Sequence, residues 1–313
     1  MNDAIETTGL TRSFGQVRAV DGLDLRVPTG RIYGLVGPDG AGKTTTLRIL
    51  CGALLADGGR AIVAGVDIGK DPEEVRRHIG YMPQRFSLYG DLTVLENMRF
   101  FADVYRVPRG ERAALTERLL EFSQLGQFRD RRADALSGGM KQKLALACTL
   151  IHRPRVLLLD EPTTGVDPVA RREFWDILRD AVNQDGMTVL VSTPYMDEAD
   201  RCHVVGFMRA GKLLASDSPR NLQALIPGVV LEVQAAPRHA AERALRALPG
   251  IRDVQVFGDR LHAVADAAPS DDELRRRLAE GGAALHAVRA IPPTMEDVFM
   301  HLQREAQDVK RET

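Results

Sequence analysis

The sequence predicts an α/β protein: a core sheet with an antiparallel β edge and a helical subdomain, followed by a small α+β domain. Three observations carry this expectation. The runs at 156–160 (V-L-L-L-D) and 188–192 (T-V-L-V-S) are almost continuously apolar, as strands buried on both faces of a parallel sheet are. The apolar run at 32–36 passes through a glycine-rich loop at 37–45 directly into a helical segment. Beyond Pro227-Gly228 the pattern changes to strand, helix, strand, strand, helix, strand. That order is the split arrangement of a ferredoxin-like fold.

Taken in order, residues 3–30 alternate apolar and polar in two short runs, 4–8 and 23–27. These predict strands at a sheet edge, with Phe14 in the turn between them. The helix after the glycine loop reaches about Leu54, and 59–65 and 79–84 read as short strands, the second ending in a polar loop. From 93 to about 125, Leu95, Met98, Phe101, Ala102 and Tyr105 recur at helical spacing, and Pro108 and Gly110 divide the stretch in two. A further helix starts after Ser137 and ends by Pro154. Then come a strand at 156–160, a helix at 169–182, a strand at 188–192 and a hairpin of 204–208 with 212–215. Past the boundary, strands are expected at 229–233, 254–257, 261–264 and 284–288, with helices at 239–248 and 271–280. A helix at 295–303 closes the chain before a frayed tail at 304–313. The expected domains are therefore 1–226, with its helical subdomain at about 85–153, and 228–303.

The loop at 37–45 reads G-P-D-G-A-G-K-T-T and fits every position of G-x-x-x-x-G-K-[ST]. Gly37, Gly40 and Gly42, with Pro38, Asp39 and Ala41 between them, let consecutive backbone N–H groups turn inward around phosphate. The helix start at Lys43, Thr44 and Thr45 adds free N–H groups and a positive dipole end. Lys43 can reach the β- and γ-phosphates, and the Thr44 hydroxyl can ligate Mg²⁺. The plain alternative is a glycine-rich turn with a chance lysine, but a chance match rarely brings the strand and the helix as well. Asp160 ends a buried parallel strand and so points into the ligand crevice. There it can hold Mg²⁺, directly or through water, while Glu161 can polarise the water that attacks the γ-phosphate. The alternative is a solvent-facing acidic turn before Pro162. Phe14 is either a core aromatic or a platform for an adenine ring.

The chain has 313 residues, 44% hydrophobic and 27% charged, with a formal net charge of −1, so no basic surplus argues for nucleic acid as a partner. The three cysteines, Cys51, Cys148 and Cys202, are too far apart for metal-ligand spacing and suit a reducing compartment. The start, M-N-D-A-I-E-T-T, is acidic and lacks the apolar region of a secretory signal. No apolar run reaches the roughly 18 residues of a membrane span. Any membrane spans it works with would come from another chain.

Between the two nucleotide motifs lies Leu136-Ser137-Gly138-Gly139-Met140-Lys141-Gln142. On its own, Ser137 is a helix N-cap that leaves the N–H groups of Gly138 and Gly139 open to an anion. The succession of glycine loop, L-S-G-G and L-L-L-D-E-P resembles the ATP-binding subunits of ABC transporters, over roughly residues 5–225. The resemblance implies a P-loop NTPase core of ABC type that binds ATP and Mg²⁺. It implies that Ser137, Gly138 and Gly139 bind the γ-phosphate of ATP held by another subunit. Two subunits, either a homodimer or this chain with a second ATP-binding subunit, would then sandwich two ATPs. It also implies ATP hydrolysis coupled to transmembrane permease subunits, at the cytoplasmic face of the inner membrane. By matching motif, Gln84 takes the place of the family's glutamine that contacts Mg²⁺ and water. Asp167 takes that of the aspartate crossing the dimer interface, and Phe14 that of the adenine-stacking aromatic, which is often Tyr. Residues 85–97 resemble the groove for the partner's coupling helix; on the plain reading Phe86, Leu88 and Tyr89 are subdomain core.

One position departs from the family. A histidine usually ends the strand after D-E-P, and here Pro194 stands there, with no titratable group and no backbone donor. His203, the next histidine, reads as structural. Either the chain pairs with a different ATP-binding chain, or a homodimer hydrolyses slowly through Glu161. Residues 292–299 (P-P-T-M-E-D-V-F) resemble the ending of drug-exporter subunits of the daunorubicin-resistance type, which implies efflux of small molecules, multidrug export among them. Two other functions compete with export. A soluble ABC ATPase acting on ribosomes or DNA is opposed by the single core and the near-zero charge. A regulatory subunit without turnover has Pro194 in its favour.

Overall fold

Glycines and bulges shape the first sheet of the computed structural model, which describes residues 3–85 and 88–312; Phe86 lies outside the described residues. β1 (Asp3–Phe14) and β2 (Val17–Pro28) pair antiparallel from Ile5↔Val27 to Phe14↔Val17. Both are longer than the alternation predicts, because register shifts at Thr7/Leu10 and Leu10/Arg12 break the period of two. β3 (Ile32–Val36) is buried at every residue and leads through the glycine loop into α1 (Lys43–Leu50). β4 (Gly58–Val63) and β5 (Val66–Asp67) complete a sheet of order β2-β1-β4-β5.

α2 (Pro72–His78) is not foreshadowed by periodicity. Its signal is capping: Asp71 accepts the Glu74 N–H, Pro72 opens the helix, and Glu73 and Glu74 fill the first turn. β6 (Ile79–Met82) follows. The helical subdomain holds α3 (Val94–Val104), α4 (Arg109–Phe122) and α5 (Gly138–Leu150). A reciprocal box between Thr93 and Glu96 starts α3. The fully buried Asn97 accepts the Tyr89 N–H and donates to the carbonyls of Tyr89, Leu92 and Thr93, so one amide shapes the loop before α3.

β7 (Val156–Asp160), α6 (Pro168–Asp185), β8 (Thr188–Thr193), α7 (Met196–Ala199), β9 (Val204–Arg209) and β10 (Lys212–Asp217) finish the first unit. The second sheet has the order β10-β9-β3-β8-β7-β6, and its strands from β9 to β6 run parallel. The register Asp160↔Ser192 and Val36↔Thr193 brings the carboxyl ends of β7, β8 and β3 to one edge. Ile5, Leu25, Leu35, Leu47, Leu158 and Leu190 share the core that joins both sheets to α1.

The second unit holds α8 (Pro219–Gln223), β11 (Val229–Ala236), α9 (Arg238–Arg246), β12 (Ile251–Phe257), β13 (Arg260–Ala265), α10 (Asp271–Glu280), β14 (Ala284–Ile291) and α11 (Met295–Glu312). Its antiparallel sheet has the order β12-β13-β11-β14, so β13 lies between the two strands that α9 connects. That is the strand order of the split β-α-β arrangement. The chain divides into Met1–Ser216 and Asp217–Thr313, about ten residues before Pro227-Gly228, and the intervening α8 packs with α11. α11 continues to Glu312, well past residue 303.

His203 stitches β3 to the start of β9: its N–H donates to the Ile32 carbonyl, and its Nδ1 accepts the Ile32 N–H at 3.0 Å. Burial, with Arg31 nearby, pushes its pKa down. A base whose folded pKa is lowered contributes stability that is whole above the unfolded value, about 6.5, and lost as pH falls below it. Resistance to urea should therefore drop between pH 7.5 and pH 5. His203→Asn should flatten that slope, while an unchanged slope would remove His203 from the account.

Candidate active site

Three glycines hold the loop between β3 and α1. A Cβ on Gly37 would lie 2.1 Å from the Met208 carbonyl oxygen, and one on Gly42 would lie 2.2 Å from that of Ala19. Gly40 and Gly42 have φ of 77° and 106°, a region L-residues avoid. Pro38, Asp39 and Ala41 complete the turn, with the Ala41 N–H donating to the Pro38 carbonyl at 3.1 Å. Gly42 sits at the N-cap and no side chain caps α1, so the first N–H groups of the helix, from Lys43, Thr44 and Thr45, are free to meet an anion.

Lys43 is only 3% exposed, and its Nζ donates to the carbonyls of Gly37 at 2.7 Å and Pro38 at 3.1 Å. The same Nζ stands 3.3 Å from Glu161 Oε1. Glu161 Oε2 accepts from Gln84 Nε2 at 3.0 Å. Glu161 has a φ of 49°, a left-handed conformation that costs a non-glycine residue on the order of 1–3 kcal/mol. Its N–H is held by both the carbonyl and the Oγ of Ser192, each at 3.1 Å. Asp160 Oδ1 accepts from Thr44 Oγ1 at 2.9 Å and from Ser192 Oγ at 2.7 Å. Its other oxygen, Oδ2, is buried and has no partner among the described residues.

An unpaired buried carboxylate oxygen beside a threonine hydroxyl fits a hard cation. Among the described residues there is no cluster of three or more His, Cys, Asp or Glu that could hold a metal ion. Mg²⁺ needs none: it is commonly bound by one or two carboxylates, waters and substrate phosphates. Asp160 and Thr44 therefore fit Mg²⁺ brought with a nucleotide.

Lys43, Thr44, Gln84, Asp160 and Glu161 are thus brought together. Phe14, Ser137, Gly138 and Gly139 make no hydrogen bond or ion pair with that cluster among the described residues. Phe14 ends β1, 49% exposed, with the Arg12 guanidinium 5.0 Å from its ring centroid. It is an accessible ring and not a core aromatic. Ser137 caps α5 by accepting the Met140 N–H at 3.3 Å. Gly138 is exposed with open space around it, whereas a Cβ on Gly139 would come within 2.5 Å of the Ala170 side chain. A cleft of about 420 Å³ is lined by Gln84, Leu88, Gly138 and Gln142 among others. Tyr89, the plain candidate for subdomain core, is 49% exposed and packs edge-on against Phe100. Asp167 caps α6 through the N–H groups of Val169 and Ala170. Pro194 directly follows β8, whose last carbonyl, that of Thr193, accepts the Gly37 N–H at 3.3 Å.

Ser192 is the member of this cluster that pattern reading missed. It supports both Asp160 and Glu161 from the neighbouring strand, and its only signal was the polar end of an apolar run in register with V-L-L-L-D.

The sequence pattern of the family described as ABC transporter matches residues 20–164. A probable multidrug ABC transporter ATP-binding protein of Escherichia coli strain K12 is 42% identical over 308 residues, covering 96% of this chain and 52% of that protein. The chain thus spans about half the length of that relative. A daunorubicin resistance ATP-binding protein of Streptomyces coeruleorubidus is 38% identical over 306 residues, covering 96% of this chain and 94% of the relative. Among solved structures, the dimeric post-hydrolysis state of an ATP-binding cassette bound to ADP and Pi superposes with a TM-score of 0.61. It is 25% identical and covers 68% of this chain and 98% of that one.

Calorimetric titration separates the two halves of the site. Lys43→Ala should weaken ATP at least about 100-fold, since it removes charge-assisted bonds of roughly 1.5–3 kcal/mol each. Ser192→Ala should weaken Mg²⁺-dependent binding about tenfold and leave binding in EDTA unchanged. Equal losses with and without Mg²⁺ would contradict the role given to Ser192.

Proposed function

The chain belongs to the ABC transporter family, and on that premise we propose that it is the ATP-binding, ATP-hydrolysing subunit of an exporter that drives efflux of small molecules through separate membrane subunits. The observation that carries this reading is the buried group of Lys43, Glu161, Gln84 and Asp160 at the end of a phosphate-binding loop. Export as the direction draws support from the names of the two relatives, one for multidrug transport and one for daunorubicin resistance.

In this reading the N–H groups from Gly37 to Thr45 cradle the β- and γ-phosphates, and Phe14 stacks on adenine. Lys43 leaves Glu161 for the γ-phosphate. Glu161, still oriented by Gln84, accepts a proton from the attacking water. Asp160, Thr44 and Gln84 would hold Mg²⁺, and the ion, when bound, would neutralise charge on the phosphates. Ser137, Gly138 and Gly139 face the γ-phosphate of ATP held by a second subunit, so ATP closes a dimer and hydrolysis opens it. Residues 85–97 receive the permease subunits. No helix among the described residues is long and apolar enough to cross a membrane. The reading assigns the spans to partners, sets the chain peripherally on the cytoplasmic face of the inner membrane, and gives it no nucleic-acid partner. The second unit is an accessory domain.

Pro194 favours one second reading. Proline offers no donor to a γ-phosphate, so this chain would contribute one weakened site and a different ATP-binding subunit the competent one.

Steady-state hydrolysis by the purified chain tests both. Glu161→Gln should stop turnover and trap an ATP-bound dimer, seen as a doubled molar mass by light scattering. Pro194→His should raise the rate about tenfold or more, the scale of one phosphate-facing donor. An inactive wild type rescued by Pro194→His would favour the two-subunit reading. ATP binding with no ATP-dependent dimer in any variant would count against the motor.

A further inference from the structure

Glu198 is fully buried and lies outside the phosphate-loop, L-S-G-G and L-L-L-D-E-P motifs. Each of its oxygens accepts one hydroxyl: Thr163 Oγ1 reaches Oε1 at 2.6 Å, and Thr193 Oγ1 reaches Oε2 at 2.6 Å. Thr163 stands two residues after Glu161, in the turn that leaves β7. Thr193 ends β8 directly before Pro194, and its carbonyl accepts the Gly37 N–H. One carboxylate thus ties the turn carrying Glu161 to the strand end before Pro194, and through it to the first residue of the glycine loop.

Pro194 makes this tie matter more. It has no N–H, so the next backbone donor in the turn is Tyr195, and that N–H goes to Thr193 Oγ1 at 3.0 Å. The Thr193 hydroxyl therefore accepts from Tyr195 and donates to Glu198, and its orientation depends on Glu198 keeping the proton in place. A buried carboxylate is tolerated only when paired and hydrogen-bonded. Its cation is Arg171, whose Nε is 3.7 Å from Oε1, an ion pair too long for a hydrogen bond. The Arg171 guanidinium also lies 4.4 Å from the centre of the Tyr195 ring. Arg171 is in the first turn of α6, beside Ala170, the residue against which Gly139 packs. The clamp therefore reaches both phosphate-facing surfaces of the subunit, the glycine loop and the helix behind Ser137.

We propose that Glu198 is a positioning residue for ATP hydrolysis, holding Thr163 and Thr193 so that Glu161, the glycine loop and the Ser137 segment keep one register. Glu198 acts through the two threonines and Arg171. The inference rests on the ATPase reading above.

The test compares wild type, Glu198→Ala and Glu198→Gln in steady-state hydrolysis, with MgATP affinity measured on each monomer. Glu198→Ala should lower kcat at least about tenfold with KM for ATP within about threefold, because misplacement of the reacting groups costs rate before binding. Glu198→Gln can still meet both hydroxyls and should recover kcat to within about threefold of wild type. An unchanged kcat per folded molecule in Glu198→Ala overturns the proposal, and so does a parallel collapse of MgATP affinity. A wild type without turnover that Pro194→His does not rescue contradicts the ATPase reading, and a second measurement then decides on Glu198. In the Glu161→Gln background, Glu198→Ala should raise the MgATP concentration needed for dimer formation about tenfold with monomer affinity unchanged. An unaltered dependence overturns the proposal in that case.

Discussion

Two opposite charges, Lys43 and Glu161, are buried 3.3 Å apart at the edge of a parallel sheet, and the rest of the site is arranged around keeping them there. A buried ion pair is weak evidence for stability, because desolvation offsets much of the attraction. The arrangement makes sense as readiness. Lys43 is held by two loop carbonyls, and Glu161 by Gln84 and by a strained backbone that Ser192 fixes. On the proposed reading, an arriving γ-phosphate takes the lysine from the glutamate and leaves that carboxylate oriented towards the attacking water. The parallel sheet makes this possible, since β3, β7 and β8 all end at the same edge and bring loop, carboxylates and Ser192 together without long side chains.

What the sequence disclosed and what it hid divide along physical lines. The glycine loop was legible because its backbone conformation admits few other residues: at Gly37 and Gly42 a side chain would strike a carbonyl. Asp160 and Glu161 were legible from their place after a continuous apolar strand. Ser192 and Glu198 were not, because their bonds to Asp160, Glu161 and Thr163 are made across 31 to 35 residues by strand register and turn packing, which no local pattern encodes. α2 was missed because seven residues are too few for a periodic stripe, although Asp71 and Pro72 announce it by capping. β1 and β2 outran their pattern because bulges reset the alternation. The short helix α8 belongs to the second unit although the dipeptide that looked like a boundary, Pro227-Gly228, lies after it.

The Ser137 segment shows the same limit at the level of assembly. Within one chain, the N-terminus of α5 makes no hydrogen bond or ion pair with the Lys43–Glu161 group among the described residues, yet Gly138 leaves its first N–H groups accessible. A helix end whose free N–H groups make no bond to the phosphate loop of their own chain accords with the proposed nucleotide shared between two subunits. Pro194 directly follows the strand end whose Thr193 carbonyl is bonded to the glycine loop, and it has no N–H of its own to offer a phosphate.

Mixing two disabled chains tests the shared site most directly. Lys43→Ala removes the lysine from one phosphate loop. Gly138→Asp adds a negative charge at the helix end, where open space around Gly138 accommodates the side chain. Each variant should be inactive alone. If every site joins the loop of one subunit to the Ser137 segment of the other, a dimer with one copy of each variant has one site carrying both lesions and one carrying neither. Hydrolysis should then reappear on mixing. A mixture as inactive as its components, beside an active wild type, would contradict the shared site.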